Sequence, residues 1–285
     1  PTMTANSIFR RLKMKKHKGK IQMGIVIGIF SAILITCLIS VFSQLYTENK
    51  EKEEFRQIAE IVTEETTDAT LEEIVRKPNL LKVSDSDNEV QSEQPMYYTT
   101  DYQPHSISEL TSMNSDCFGW VSITGTNINY PVMHTPDNPQ KYLNKNFYGE
   151  YSLSGVPFLD GRCTSTSTNL IIYGHHMNNG TMFAELCNYT NTSYRDEHKA
   201  VVLETKDGVS AYTVFAVLKV KSDDEWYRFT SALTEKRYNS LVEYAKEKSI
   251  YETGITPKYG QQILTLSTCY GNNQDDRILV LAVRN

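Results

Sequence analysis

The 285-residue chain has only five cysteines, and no two of them form a Cys-X-X-Cys pair. That excludes a disulfide-stapled scaffold and a zinc ribbon. Basic character is missing beyond the first 20 residues. Those 20 hold seven Lys and Arg and no acid, residues 48–95 hold 14 acids against six bases, and the net charge overall is −5. No later stretch could supply an electrostatic footprint for nucleic acid, so nucleic acid is excluded as a partner. No internal repeat is present. With 40% hydrophobic and 22% charged residues the chain can still build a substantial core, so wholesale disorder is excluded.

One long uncharged run stands out. Met23–Phe42 reads MGIVIGIFSAILITCLISVF. Twenty helical residues at about 1.5 Å each cover about 30 Å, the thickness of a bilayer's hydrocarbon core. A cleaved signal peptide is the rival reading, with Val41-Phe42-Ser43 as a passable cleavage site. The run exceeds the usual 7–15 residues of a signal core, which favours an uncleaved anchor. The bases from Arg10 to Lys20 then predict a cytoplasmic N-terminus and an extracellular remainder.

The expected organisation follows from composition: a basic tail over 1–22, a transmembrane helix over 23–42, an acidic stalk and linker over 43–95, and a folded domain over 96–285. Within the stalk, Phe55, Ile58, Ala59 and Val62 recur at helical spacing, as do Leu71, Ile74 and Val75 before Pro78. The reading is a charged, solvated helical stalk followed by a polar linker, SDSDNEVQSEQP over 84–95.

The folded part is mainly β. Trp120–Ile123, Asn169–Tyr173, Ala200–Glu204, Ala211–Lys219, Gln262–Ser267 and Ile278–Val283 are rich in β-branched and aromatic residues between turn signals. Leu170-Ile171-Ile172 and Ile278-Leu279-Val280-Leu281 are too apolar for strands with one wet face. They predict a closed barrel or a sandwich with elements packed outside it. One helix interrupts the strands, over 234–248, with Leu233, Tyr238, Leu241, Val242 and Ala245 on one face.

A thiol at a strand end is the chemical feature. Cys269 closes the run Ile263–Thr268, His175 follows a strand end and Gly174, and Arg277 opens the strand expected to pair with that of Cys269. A thiol becomes a competent nucleophile near a base or cation, and a guanidinium can donate several hydrogen bonds to an oxyanion. The plain alternative is that the Cys is a small buried apolar residue and the His an ordinary turn residue. Cys117, Cys163 and Cys187 read as buried or partly buried thiols, and whether two of them pair is left open. His175-His176 makes a poor metal site, because adjacent strand residues face opposite ways.

Thr265-Leu266-Ser267-Thr268-Cys269, with Arg277 eight residues on, resembles the active-site strand of sortases, the cysteine transpeptidases of Gram-positive cell walls. Three further segments resemble class B sortases: 169–177 (NLIIYGHHM) running on to Gly180-Thr181-Met182-Phe183, 119–123 (GWVSI) followed by Asn129-Tyr130-Pro131-Val132, and 155–160 (GVPFLD). The resemblance implies a closed eight-stranded barrel with peripheral helices and no cofactor or metal. It implies that Cys269 attacks the carbonyl after Thr in an Asn-Pro-X-Thr-X-like sorting signal of a secreted surface protein. An amine of peptidoglycan or its lipid-linked precursor then resolves the thioester. His175 is implied as acid and base, Arg277 as oxyanion and substrate holder, and Ser267, Asn129 and Met133 as substrate contacts. Ile250 and Tyr251 are candidates for the groove's other wall. A thiol hydrolase and a non-catalytic surface-anchored binding module are the alternatives.

Overall fold

The computed structural model describes residues 5–62, 104–232, 234–271 and 273–285. They form two compact units, one through Lys50 and one from Glu51 to Asn285. Helix α1 (Ala5–Val62) belongs to the first as far as Lys50, and there it carries the apolar run, whose described side chains are exposed. By length and composition this helix can cross a membrane, as the sequence leads one to expect.

The second unit is built on eight strands: β1 (Cys117–Ser122), β2 (Asn129–Met133), β3 (Phe158–Leu159), β4 (Asn169–Tyr173), β5 (Ala200–Thr205), β6 (Gly208–Lys221), β7 (Ile263–Cys269) and β8 (Asp276–Arg284). They close in the order β1-β2-β3-β4-β7-β8-β6-β5, with β2/β3 and β4/β7 parallel and the other pairs antiparallel. Closure explains the apolar runs. Ile278, Val280 and Ala282 of β8 fill the barrel with Leu170, Ile172, Leu264 and Leu266, while Leu279, Leu281 and Val283 face outward under a helix. That helix is α4 (Glu235–Lys248), capped by the Thr234 hydroxyl accepting from Arg237 N; Tyr238, Leu241, Val242 and Ala245 are its buried face. Leu233 lies outside the described residues. Two shorter helices, α2 (Ile107–Met113) and α3 (Thr192–Glu197), complete the periphery.

The stalk expectation needs correction. The compact unit starts at Glu51 rather than near Met96, because the 55/58/62 stripe of α1 has a partner. Phe55, Ile58 and Val62 are 5%, 0% and 1% exposed, packed with Leu110, Trp120, Tyr130 and Met133. Phe55 meets the Tyr130 ring edge-on at 5.3 Å, Asn146 Nδ2 donates to Glu54 Oε2 at 3.2 Å, and Ser154 Oγ donates to Glu51. Residues 63–95, where the rest of the stalk and the linker were expected, lie outside the described residues.

This packing predicts a measurable loss. Ile58→Ala in a fully buried site should destabilise the folded unit by about 2–5 kcal/mol, read as a lower urea midpoint. Gln57→Ala, one residue away and exposed, should stay within about 0.5 kcal/mol. Equal, negligible effects at both positions would restore the solvated stalk.

Candidate active site

Three strand ends meet at one rim of the barrel. In the antiparallel β7/β8 ladder, Cys269 lies directly opposite Arg277. Directly opposed residues project from the same face with Cβ atoms about 5 Å apart, so thiol and guanidinium are neighbours by register alone. The parallel β4/β7 ladder sets Tyr173 beside Ser267, and Gly174 N donates to Ser267 O at 3.1 Å. Thr268 Oγ1 donates back to Gly174 O at 2.8 Å. His175 is the next residue.

Gly174 is required by crowding. A Cβ there would sit 2.6 Å from the Phe183 ring. Phe183 N in turn donates to His175 O at 2.9 Å, so the glycine and the phenylalanine together set where the histidine backbone runs. Met182, in the left-handed region at φ 56°, is held by the Tyr130 hydroxyl, which accepts from its backbone N–H at 3.1 Å.

His175 Nε2 is 2.8 Å from the backbone carbonyl of Leu143. A carbonyl can only accept, so Nε2 carries the hydrogen and Nδ1 is left with its lone pair. His175 is half-buried and lines the same cavity as Cys269 and Arg277, of about 660 Å³. His176 is exposed, bridges to Met182 and does not line that cavity.

Arg277 Nη1 donates to the carbonyls of Gln274 and Asp276, which tie it to the β7–β8 loop and leave its Nε and Nη2 hydrogens outside those bonds. Facing it, Ser267 is 2% exposed and its hydroxyl meets Tyr227 OH at 2.8 Å. Tyr227 is carried by a 3-10 turn over Glu225–Arg228, pinned to β7 by Trp226 Nε1 donating to Thr265 Oγ1 at 3.0 Å. Burial pushes the Tyr227 phenol up to about 12, so it stays neutral and hydrogen-bonding at physiological pH.

Next to Tyr227 lies an ion-paired corner, whose Arg162 Nη2 donates to Tyr227 O at 2.6 Å. Asp160 accepts from Arg162 Nε at 2.8 Å, from Arg162 Nη2 at 2.7 Å and from Tyr173 OH at 2.8 Å. Burial alone would raise its carboxyl, but those hydrogen bonds outweigh burial and hold it below the usual carboxylate range.

The other thiols of the folded unit are unlike Cys269. All are free. Burial pushes Cys117 up to about 12 and raises Cys163 and Cys187, whereas Cys269 is exposed. At pH 7 a thiol near 12 holds about one thiolate in 10⁵, too few to compete as a nucleophile.

The family model for the sortase domain matches residues 121–285, more than half of the chain. The protein belongs to the sortase family. Sortase B of Staphylococcus aureus is 32% identical over 180 residues, covering 62% of this chain and 73% of that protein. A solved S. aureus sortase B–substrate complex has a TM-score of 0.59 at 31% identity, over 63% of this chain and 84% of that one. A Bacillus anthracis structure described as similar to sortase B reaches 0.63 at 28% identity, over 84% of this chain and 96% of that one. The chain is thus a class B sortase, a cysteine transpeptidase that cleaves a sorting signal and joins the product to peptidoglycan.

Within this sortase, four of the six site residues read from the sequence come together in the cavity: His175, Cys269, Arg277 and Ser267. Two do not line it. Met133 is fully buried in the cluster that also holds Phe55, and Asn129 Oδ1 accepts from Trp120 Nε1 at 2.7 Å. Ile250 and Tyr251 are not on the wall either; Tyr251 OH donates to Tyr189 O at 2.7 Å. The wall comes instead from Tyr227, Ser222 and the Asp160–Arg162 corner. Tyr173 and Asp160 stood inside quoted motifs without a role. Leu143 serves through its backbone carbonyl, for which no residue type is a signal.

Proposed function

We propose that Cys269, His175 and Arg277 perform the sortase reaction, and that the sorting signal is Asn-Pro-X-Thr-X-like. The observation that carries this is the Cys269–Arg277 cross-strand pair beside His175 on one cavity wall. Cys269 Sγ attacks the carbonyl carbon after Thr, and Arg277 donates to the oxyanion that forms. The imidazolium of His175 gives its Nδ1 proton to the leaving amine, and the C–N bond breaks to leave a thioester. The neutral ring keeps Nε2–H on Leu143 O and presents the Nδ1 lone pair. An incoming amine loses a proton to that lone pair as its nitrogen forms the new amide, and Cys269 departs as thiolate. Ser267, with Tyr227 behind it, offers a hydroxyl to the bound peptide's backbone.

The test is incubation of the protein with Asn-Pro-X-Thr-X and Leu-Pro-X-Thr-Gly peptides plus candidate amines. Mass spectrometry should show scission after Thr and a new Thr–amine adduct from the Asn-Pro series. Preference for the Leu-Pro peptides would overturn the signal assignment, and scission elsewhere would overturn the geometry.

Arg277→Lys separates charge from shape. Lys keeps the cation and loses the planar fork that reaches two acceptors at once. Turnover should fall on the order of 10²-fold, the scale of losing one oxyanion donor. Near-normal turnover would reduce Arg277 to general electrostatics.

The seven bases preceding the apolar run support a cytoplasmic N-terminus with the catalytic domain outside the cell. Protease added to intact cells should then remove the domain from its anchor; a domain protected until lysis would reverse the topology.

A further inference from the structure

One carboxylate reaches Tyr227 by two routes. Asp160 follows β3 and is buried, and it accepts from Arg162 N at 3.0 Å as well as from the Arg162 guanidinium and the Tyr173 hydroxyl. Through Arg162 it holds backbone, because Arg162 Nη2 donates to Tyr227 O. Through Tyr173 it holds a side chain, because the Tyr173 ring stacks on the Tyr227 ring, with centroids 6.0 Å apart and planes at 21°. Tyr227 needs such holding. It sits on a 3-10 turn between β6 and the following helix, so no strand register places it against Ser267. The turn itself is anchored separately, by the fully buried Trp226 and its bond to Thr265. The two routes from Asp160 therefore act on the residue of that turn that lines the cavity.

We propose that Asp160 is a positioning residue for peptide binding, which through Arg162 and Tyr173 holds Tyr227 as a preformed wall for the sorting signal. This rests on the signal binding in the cavity of Cys269. A loose tyrosine on a cavity wall must be ordered each time a peptide arrives, and ordering a side chain costs affinity. A carboxylate that fixes both the backbone and the ring of Tyr227 removes that cost in advance. The charge is what makes the clamp. An ionised carboxylate accepts from a guanidinium fork and a phenol at once, whereas an amide of the same shape has one acceptor oxygen and turns two donors toward donors. Asp160 bonds Arg162 and Tyr173, not Cys269, His175 or Arg277. Its loss should therefore weaken peptide binding and spare the bond-making step, which reads as a raised KM with kcat retained.

The test is steady-state cleavage by the full chain in detergent, on the better cleaved of the Asn-Pro-X-Thr-X and Leu-Pro-X-Thr-Gly peptides. Asp160→Asn should raise KM on the order of fivefold, the scale of ordering one or two side chains. Its kcat should stay within about twofold of the parent. Tyr227→Ala removes the residue being positioned and should raise KM at least as far. Asp160→Asn added to Tyr227→Ala should then cost nothing more, since both act through one side chain. A merely structural Asp160 would cost the same in either background, and that result overturns the proposal, as does a fall in kcat with KM unchanged. Folding is read from the emission of Trp120 and Trp226, both fully buried, which should match the parent. Arg162→Ala breaks the backbone route from a half-exposed side chain and should also raise KM. If Asp160→Asn fails to fold, an unchanged KM in folded Arg162→Ala overturns the proposal instead. A parent that cleaves neither peptide overturns the sortase reading of this cavity, and the role of Asp160 with it; an active parent with additive losses overturns the role of Asp160 alone.

Discussion

Cys269→Ala is expected to abolish both scission and transfer, a loss on the order of 10⁵-fold or more, the scale of deleting a covalent nucleophile from a protease. No other described thiol of the folded unit can substitute. Cys117 is buried with its thiol pushed up to about 12, Cys163 is buried, and Cys187, though half-buried, is also raised by burial. Replacing each of these three by Ala or Ser should leave turnover near the parent value once stability is matched. A methanethiosulfonate reagent should inactivate the parent by a single mass addition at Cys269. The domain should remain folded in Cys269→Ala, because an exposed strand-end side chain holds no core volume. A folded Cys269→Ala protein with full activity would sink the mechanism.

His175→Ala should lose on the order of 10³-fold in transpeptidation, within the range of removing a general acid–base. His176→Ala should stay within about threefold of the parent, since exposed substitutions rarely cost more than about 0.5 kcal/mol. The difference rests on one backbone turn. Gly174 passes against Phe183, His175 then reaches Leu143 O, and His176 is carried to the outside to bridge Met182. The two variants should be compared at equal thermal stability, since a misfolded His176→Ala would imitate a catalytic defect. A folded, dead His176→Ala together with an active His175→Ala would mean the register after Tyr173 is off by one.

The strands that carry the chemistry were legible because their signals are local. The apolar runs of β4, β7 and β8 announce strands buried on both faces, and the spacing of Cys269 and Arg277 around a loop announces a pair across a hairpin. The helix over 234–248 was equally plain from its period and its Thr234 cap. Two strands were not read as such. β2 contains Pro131, which argues against a central strand, and β3 is two residues long. Asn129 and Met133 sit on β2, and their positions relative to the cavity depend on how that strand is turned. Met133 is buried with Phe158 and the helix stripe, outside the cluster that fills the barrel, and Asn129 is taken by the Trp120 indole.

The amino-acid order by itself announced a run long enough to span a membrane, a closed barrel or sandwich, and a candidate thiol and guanidinium. Each of those depends on residue type and spacing over a few neighbouring positions: 20 uncharged residues, alternating or continuous apolar runs, a thiol at a strand end. Only the tertiary structure decided that residues 51–62 belong to the folded unit. Their partners lie 44 or more positions away, and an amphipathic stripe does not say what it will cover. Tertiary structure also decided which histidine shares the cavity with the thiol and which of its nitrogens carries the hydrogen. Those follow from the Phe183 ring against Gly174 and from the carbonyl of Leu143, 32 residues upstream, contacts that no local pattern encodes.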